Sequence, residues 1–244
     1  YYPSSEMGSL RSWSYFPTDV DTADLSSLRW WSALVDQVAS TVERIGTRAA
    51  CSPADVPRVF SLEYLRHAVE VGNLFSVACR RRGVDAVQTA IVSMQALTDS
   101  ANAMEVASIL SFAESERIFI VFNNDIEPRR EIQDIEGLKG ALLVVSALRD
   151  ARIRAIVGYC STDMLLYKAA GAEACTTGKF FNLRRFTTSR FSEPSRGGQQ
   201  LPYFVEEGLV GLLRESDVLR LQRANFPFCP STMANPHTTE IPTA

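Results

Sequence analysis

From residue 84 to residue 183 the chain alternates short apolar runs with longer stretches of helical periodicity, and it does so four times over. The runs are 87–94 (VQTAIVSM), 118–122 (IFIVF), 153–157 (IRAIV) and 174–177 (ACTT). The first three are nearly continuous in apolar character, which predicts strands buried on both faces. Between them, Asp99-Ser100 can cap a helix through Met104, Val106, Ile109 and Leu110, and a second helix is expected over 131–150. A third opens at Ser161-Thr162-Asp163 and stops at Gly171. Strict alternation with short connections demands right-handed crossovers, and therefore a parallel sheet with neighbouring strands in sequence order. The expected fold class is α/β, a parallel sheet with alternating helices.

The flanks are less regular. Residues 1–57 read as an N-terminal arm followed by a helix for which Asp24-Leu25-Ser26-Ser27 offers caps and which runs to about Ile45, with Leu28, Trp31, Leu34, Val35, Val38, Val42 and Ile45 on one side. Residues 46–57 read as a connector broken by Pro53 and Pro57. Residues 58–225 hold the α/β catalytic or binding domain, beginning with 59–62, which suits either a strand or the lead-in to a helix that ends at Arg80-Arg81-Arg82. A closing helix is expected over 205–223, and 226–244 is an irregular tail.

Net charge of −3 gives no global attraction to nucleic acid or anionic membrane, so anion binding has to be local. The five cysteines are scattered, odd in number and without a C-x-x-C pair, which argues against a disulfide framework or a zinc site. No apolar run approaches the ~20 residues of a membrane span, and no signal peptide opens the chain, so a soluble cytoplasmic protein is expected, with no membrane partner. Tyr1 stands where an initiator Met is expected, as in a fragment or trimmed chain.

Polar residues gather where each run ends: Gln95, Thr98 and Asp99; Asn123, Asn124, Asp125 and Glu127; Tyr159 to Asp163; and Thr176, Thr177, Gly178, Lys179 and Asn182. A parallel sheet carries all four sets to one rim, where ligands of such folds bind. Asp125, Glu127 and Asp163 are the candidate catalytic acids. Asp125 and Glu127 also offer the hard oxygens that Mg²⁺ prefers. The plainer reading is that Asp99 and Asp163 cap helices and that 123–125 is turn chemistry. Cys160 at a strand end is a candidate nucleophile only if His67 or His237 reaches it through the fold.

The run GYCSTDMLLYKAAGAEACTTGKF resembles the last two βα units of phosphate-binding (β/α)8 barrels such as the IMP dehydrogenase and FMN-dependent α-hydroxy-acid oxidase group. The match lies in Asp163, Ala169-Ala170-Gly171-Ala172 and Gly178-Lys179, over some thirty residues. Where that group places Gly-Gly after the seventh strand, this chain has Gly158-Tyr159. The resemblance implies a (β/α)8-type barrel, complete, incomplete or permuted, and an anion held near Thr177, Gly178 and Lys179. With Asn123, Asn182, Arg184 and Arg185 these form the expected substrate-binding set. The expected function is an enzyme acting on a phosphorylated or nucleotide-like anion, with lyase, transferase and hydrolase chemistry all open. The alternative is a non-catalytic module whose basic aromatic loop 179–196, containing Lys179, Arg184, Arg185, Arg190 and Arg196 among four Phe, binds nucleic acid or a protein partner.

Overall fold

The computed structural model describes residues 15–17, 20–57, 59–124, 132, 134–178, 184–186, 203–206, 208 and 211–228. Contacts divide the chain into two compact units, Tyr1–Glu193 and Pro194–Ala244.

The first unit begins with a short helix α1 (Thr22–Leu25) and the long helix α2 (Leu28–Ile45), which starts where the Ser27 hydroxyl accepts from the Trp30 amide. Gly46, at φ +76°, stops α2 in the left-handed conformation that costs glycine nothing. Then come β1 (Ala49–Cys51), α3 (Leu62–Arg80), β2 (Asp85–Ser93), a 3₁₀ turn (Met94–Leu97) and α4 (Ser100–Leu110). They are followed by β3 (Arg117–Asn123), α5 (Ile135–Asp150), β4 (Arg154–Gly158), α6 (Met164–Ala170) and β5 (Ala174–Cys175). Caps fall at Ser61, Asp99 and Asp134, each side chain accepting a backbone N–H of the helix it starts.

Five parallel strands pair in the order β1-β2-β3-β4-β5. In β2 and β3 the register runs from Gln88 against Ile118 to Ser93 against Asn123, and β4 joins with Arg154 against Arg117. Order without reversal, combined with right-handed crossovers, sends every connecting helix to the same face. The sheet curls into a half-barrel with its helices outside.

Alternation along each strand then separates two environments. Ala90, Val92, Ile118, Ile120, Phe122, Ala155 and Val157 face the helices and bury against Leu65 and Val69 of α3, Val106 and Leu110 of α4, and Val144 and Leu148 of α5. Ile91 and Val121 face the concave side, in a smaller cluster with Phe186, Val56, Phe60, Phe119 and Tyr159. A third cluster, centred on Trp31, Val35 and Phe75, packs α2 onto α3. At the N-terminal end of the sheet, Arg154 pairs with Glu116 (2.9 Å) and Arg117 with Glu173 (3.4 Å), in solvent, where such pairs contribute little.

Three expectations change, and one that was open between strand and helix is resolved. The connector 46–57 contains β1, a three-residue edge strand too short to show periodicity. Its pairing with β2 is prolonged by Ser52, whose Oγ accepts from the Thr89 amide (2.9 Å) while its carbonyl accepts from the Thr89 hydroxyl (2.6 Å). Residues 59–62 lead into α3. Leu28 and Ile45 are exposed, so the buried stripe of α2 is narrower than its apolar pattern. The helix expected over 205–223 is instead an antiparallel hairpin, β6 (Tyr203–Glu206) with β7 (Gly211–Arg214), followed by the shorter α7 (Glu215–Arg223). Tyr203, Phe204 and Val205 favour extended backbone, and Gly208 and Gly211 interrupt the helical spacing of the leucines around them. No described helix is long and apolar enough to cross a membrane.

The approach of α5 to the 3₁₀ turn is a backbone-to-backbone contact, because a Cβ on Gly140 would fall on the Leu97 carbonyl oxygen. Gly46, in contrast, faces open space. Gly140→Ala should therefore cost about 1–3 kcal/mol by overpacking. Gly46→Asn, at a position Asn tolerates, should cost well under about 1 kcal/mol. Urea unfolding midpoints measure both, and equal losses would mean that the α5 contact is not tight.

Candidate functional site at the strand ends

The C-terminal rim is built by the ends of β3, β4 and β5. Asn123 ends β3 and is 1% exposed. After Gly158 the chain turns sharply at Tyr159, a non-glycine residue at φ +58°, a conformation that costs on the order of 1 kcal/mol. The turn does not end the pairing with β5: the Thr176 amide donates to the Val157 carbonyl, and the Cys160 amide donates to the Thr176 carbonyl, both at 2.8 Å. Gly158 is required because the Phe119 ring lies where its Cβ would be.

The next residues place a carboxylate. Asp163 occupies the N-cap position of α6, yet its side chain makes no capping bond to the helix. Its Oδ1 accepts instead from the Ser161 amide (2.7 Å) and from Arg185 Nη1 (2.9 Å). The cap reading of Asp163 is thereby corrected, and the physical reason is the arrival of a guanidinium. Arg185 is 2% exposed and Asp163 8%, so the ion pair is internal. Arg185 Nη1 also donates to the Arg184 carbonyl (2.9 Å), and Arg184 Nε donates to the Gly178 carbonyl (3.3 Å). These bonds tie residues 184–186 to the rim. Phe186 follows them in, burying against Ile91 and Val121 with its ring 5.5 Å from that of Tyr159.

Around the ion pair the groups are apolar or weakly polar. Tyr167 of α6 is buried and stacks on Phe122 at 5.4 Å, and burial, reinforced by the Asp163 carboxylate, pushes its hydroxyl well above the usual tyrosine range. Burial likewise raises the Cys160 thiol, with the Asp163 charge adding to it. Cys160 donates to the Val157 carbonyl (3.4 Å), so it is a protonated, bonded thiol rather than an activated nucleophile. His67 lies against Trp31 (6.3 Å) in the packing of α2 on α3.

Of the residues expected at the rim, Asp163 and Arg185 are in direct contact, and Arg184 is bonded to Gly178. Asn123 ends the neighbouring strand, and Thr177 is exposed just past β5. Asp125, Glu127, Lys179 and Asn182 lie outside the described residues, as do Arg190 and Arg196. Among the described residues no three His, Cys, Asp or Glu side chains converge as a metal site. Arg185 and Phe186, read in the sequence as part of a surface loop, point inward. What sequence reasoning missed is the pairing of Asp163 with Arg185, twenty-two residues apart; the only local signal was a Phe directly after the arginines.

Removing one partner of a buried pair strands the other charge, typically at about 3–5 kcal/mol, whereas replacing both by apolar groups can cost much less. Asp163→Leu and Arg185→Met should each cost roughly that much, and the double variant should be more stable than the sum of the two losses implies. Denaturant titration of the four proteins measures the coupling. Simple additivity would show that the pair is not interacting.

No protein-family model, no curated protein and no solved structure matches the chain.

Proposed function

We propose that the chain is an enzyme acting on a phosphorylated or nucleotide-like anion bound at the C-terminal rim, beside the ends of β4 and β5. The observation that carries this reading is the Asp163–Arg185 pair, two charges of opposite sign held inside the rim, with the exposed residues Thr176 and Thr177 and the half-buried Gly178 next to it. A fold with all its helices outside presents its strand ends to ligands, and polar groups at those ends do the chemistry. Asp163 is the acid/base candidate, oriented by Arg185 and by the Ser161 amide. The Thr177 hydroxyl, the backbone N–H groups of Thr177 and Gly178, and Arg184 suit phosphoryl oxygens, and Lys179, Asn182 and Asn123 belong to the same binding set. Asp125 and Glu127, directly beyond β3, would complete the acidic side, and Mg²⁺ is the cation their oxygens fit. The likeness of residues 158–180 to phosphate-binding barrels points the same way. Burial of Arg185 and Phe186 ranks this reading above a nucleic-acid surface over 179–196, because it removes an arginine and an aromatic ring from that face.

The test is a thermal-shift and calorimetric screen of nucleoside phosphates and sugar phosphates, with and without Mg²⁺. A true ligand at 100 times its Kd should stabilise the protein by about 2.7 kcal/mol. Arg184→Ala and Thr177→Val should each weaken it about tenfold, the loss of one charge-assisted hydrogen bond. Asp163→Asn should retain binding and lose turnover. If no phosphorylated compound stabilises the chain, if binding ignores both Arg184→Ala and Thr177→Val, or if Asp163→Asn leaves turnover intact, the proposal is wrong.

A further inference from the structure

The sheet of the first unit is half a barrel, and half a barrel has two edges. Among the described residues β1 and β5 have a single strand neighbour each, β2 and β4. The helical layer has two ends as well, because its order is α2-α3-α4-α5-α6, each helix packed on the next. Both end helices leave apolar side chains uncovered. On α6, Leu165 is 62% and Leu166 46% exposed, on the side turned away from the buried Tyr167. On α2, Trp30, Leu34, Val38 and Ile45 form a line along one side of the helix; the first three are half-buried and Ile45 is 68% exposed. That line lies opposite Asp36 and Glu43, which pair with Arg82 at the end of α3, so α3 covers it only in part. The two edges also begin with opposite charges, an exposed Arg48 directly before β1 and Glu173 directly before β5.

We propose that a second copy of this chain covers both ends, in a twofold dimer that closes two half-barrels into one barrel. All five strands run the same way along the barrel axis. A twofold rotation about that axis therefore brings β5 of one copy beside β1 of the other in parallel, and the same contact forms again on the far side. Outside the strands, Leu165 and Leu166 of each copy pack on the α2 line of the other. β1 and β5 are three and two residues long, so their pairing supplies few hydrogen bonds and the helix contacts bury most of the apolar surface. Arg48 and Glu173 meet across each junction at the N-terminal end of the barrel. Ten strands enclose a wider interior than eight, and Ile91, Phe119, Val121 and Phe186 on the concave side are there to fill it. Both C-terminal rims open at one end, which sets the two Asp163–Arg185 pairs around a common mouth. The dimer follows from the edges and the helix ends, and does not depend on the anion-binding reading.

The experiment is sedimentation velocity on the intact chain and two surface variants, Ile45→Glu on α2 and the double variant Leu165→Glu, Leu166→Glu on α6. The wild-type chain should sediment at twice its mass of 27.0 kDa. A carboxylate forced into an apolar contact is costly, so each variant alone should dimerise at least about a hundredfold more weakly. Because these side chains are exposed, circular dichroism and urea midpoints should stay at wild-type values. Mixing the two variants is the decisive arm. In a mixed dimer one helix contact carries all the substitutions and the other carries none, so the mixture should dimerise more tightly than either variant by itself. A contact of α6 on α6, or of α2 on α2, would show no such rescue. Interfaces of standard size hold at μM or tighter, so a monomer persisting up to about 100 μM would overturn the proposal and show that the edges are covered within one chain. Variants that stay dimeric, or a mixture no tighter than its components, would overturn it too.

Discussion

Handedness is the constraint on which the first unit rests. A right-twisted strand followed by a helix returns to a parallel neighbour by a right-handed crossover, and five strands in unbroken sequence order repeat that move without a reversal. All four connecting helices are therefore on one side, and the apolar residues they bury are every second residue of β2, β3 and β4. The same rule keeps these four helices off the concave side of the sheet. Ile91 and Val121 on that side need another cover, and Phe60, Val56, Tyr159 and Phe186 provide it from loops. Among the described residues that side is thus covered by irregular chain, at the end of the sheet where strand ends collect polar groups.

What holds one of those loops in place is electrostatic. Residues 184–186 enter the rim with a guanidinium, and Asp163 meets it. Such a pair adds little net stability, since desolvating both charges offsets their attraction, but it is demanding in geometry. Asp163 has to leave its capping duty and accept from Ser161 and Arg185 through one oxygen, and the chain has to turn at Tyr159 to bring it there. Those are departures from local preference concentrated in five residues, the pattern expected where function rather than stability selects the structure. Among the described residues the opposite end of the sheet carries solvent-accessible ion pairs among Arg117, Arg154, Glu116 and Glu173, which fits a structural rather than a chemical end.

The sheet was legible because burial on both faces writes itself into composition: IFIVF and VQTAIVS leave no other economical reading. The cap at Asp99 was legible for a local reason, a carboxylate beside the first turn. Where the sequence misled, the deciding contacts were not local. β1 is three residues long and is defined by pairing with β2, not by its own pattern. The leucines of 209–213 are spaced for a helix, but Gly208 and Gly211 between aromatic and β-branched residues favour a hairpin. Asp163 looked like a cap because its partner is twenty-two residues away, and Arg185 looked like surface because arginines usually are. Chain order announced that the strand ends would converge. Which side chains would touch there depended on how the loop after β5 folds back.

The Arg185–Asp163 pair holds both the segment 184–186 and the end of β4 in place, which amide hydrogen exchange can test. The Ser161 amide donates to the Asp163 carboxylate, so its protection reports on where that carboxylate is. In an Arg185→Met chain, protection at Ser161 and in the first turn of α6 should fall at least about tenfold, with the β2–β3 ladder unchanged, the signature of a local opening. Unaltered protection at Ser161, or an equal loss at every amide of the sheet, would contradict the account.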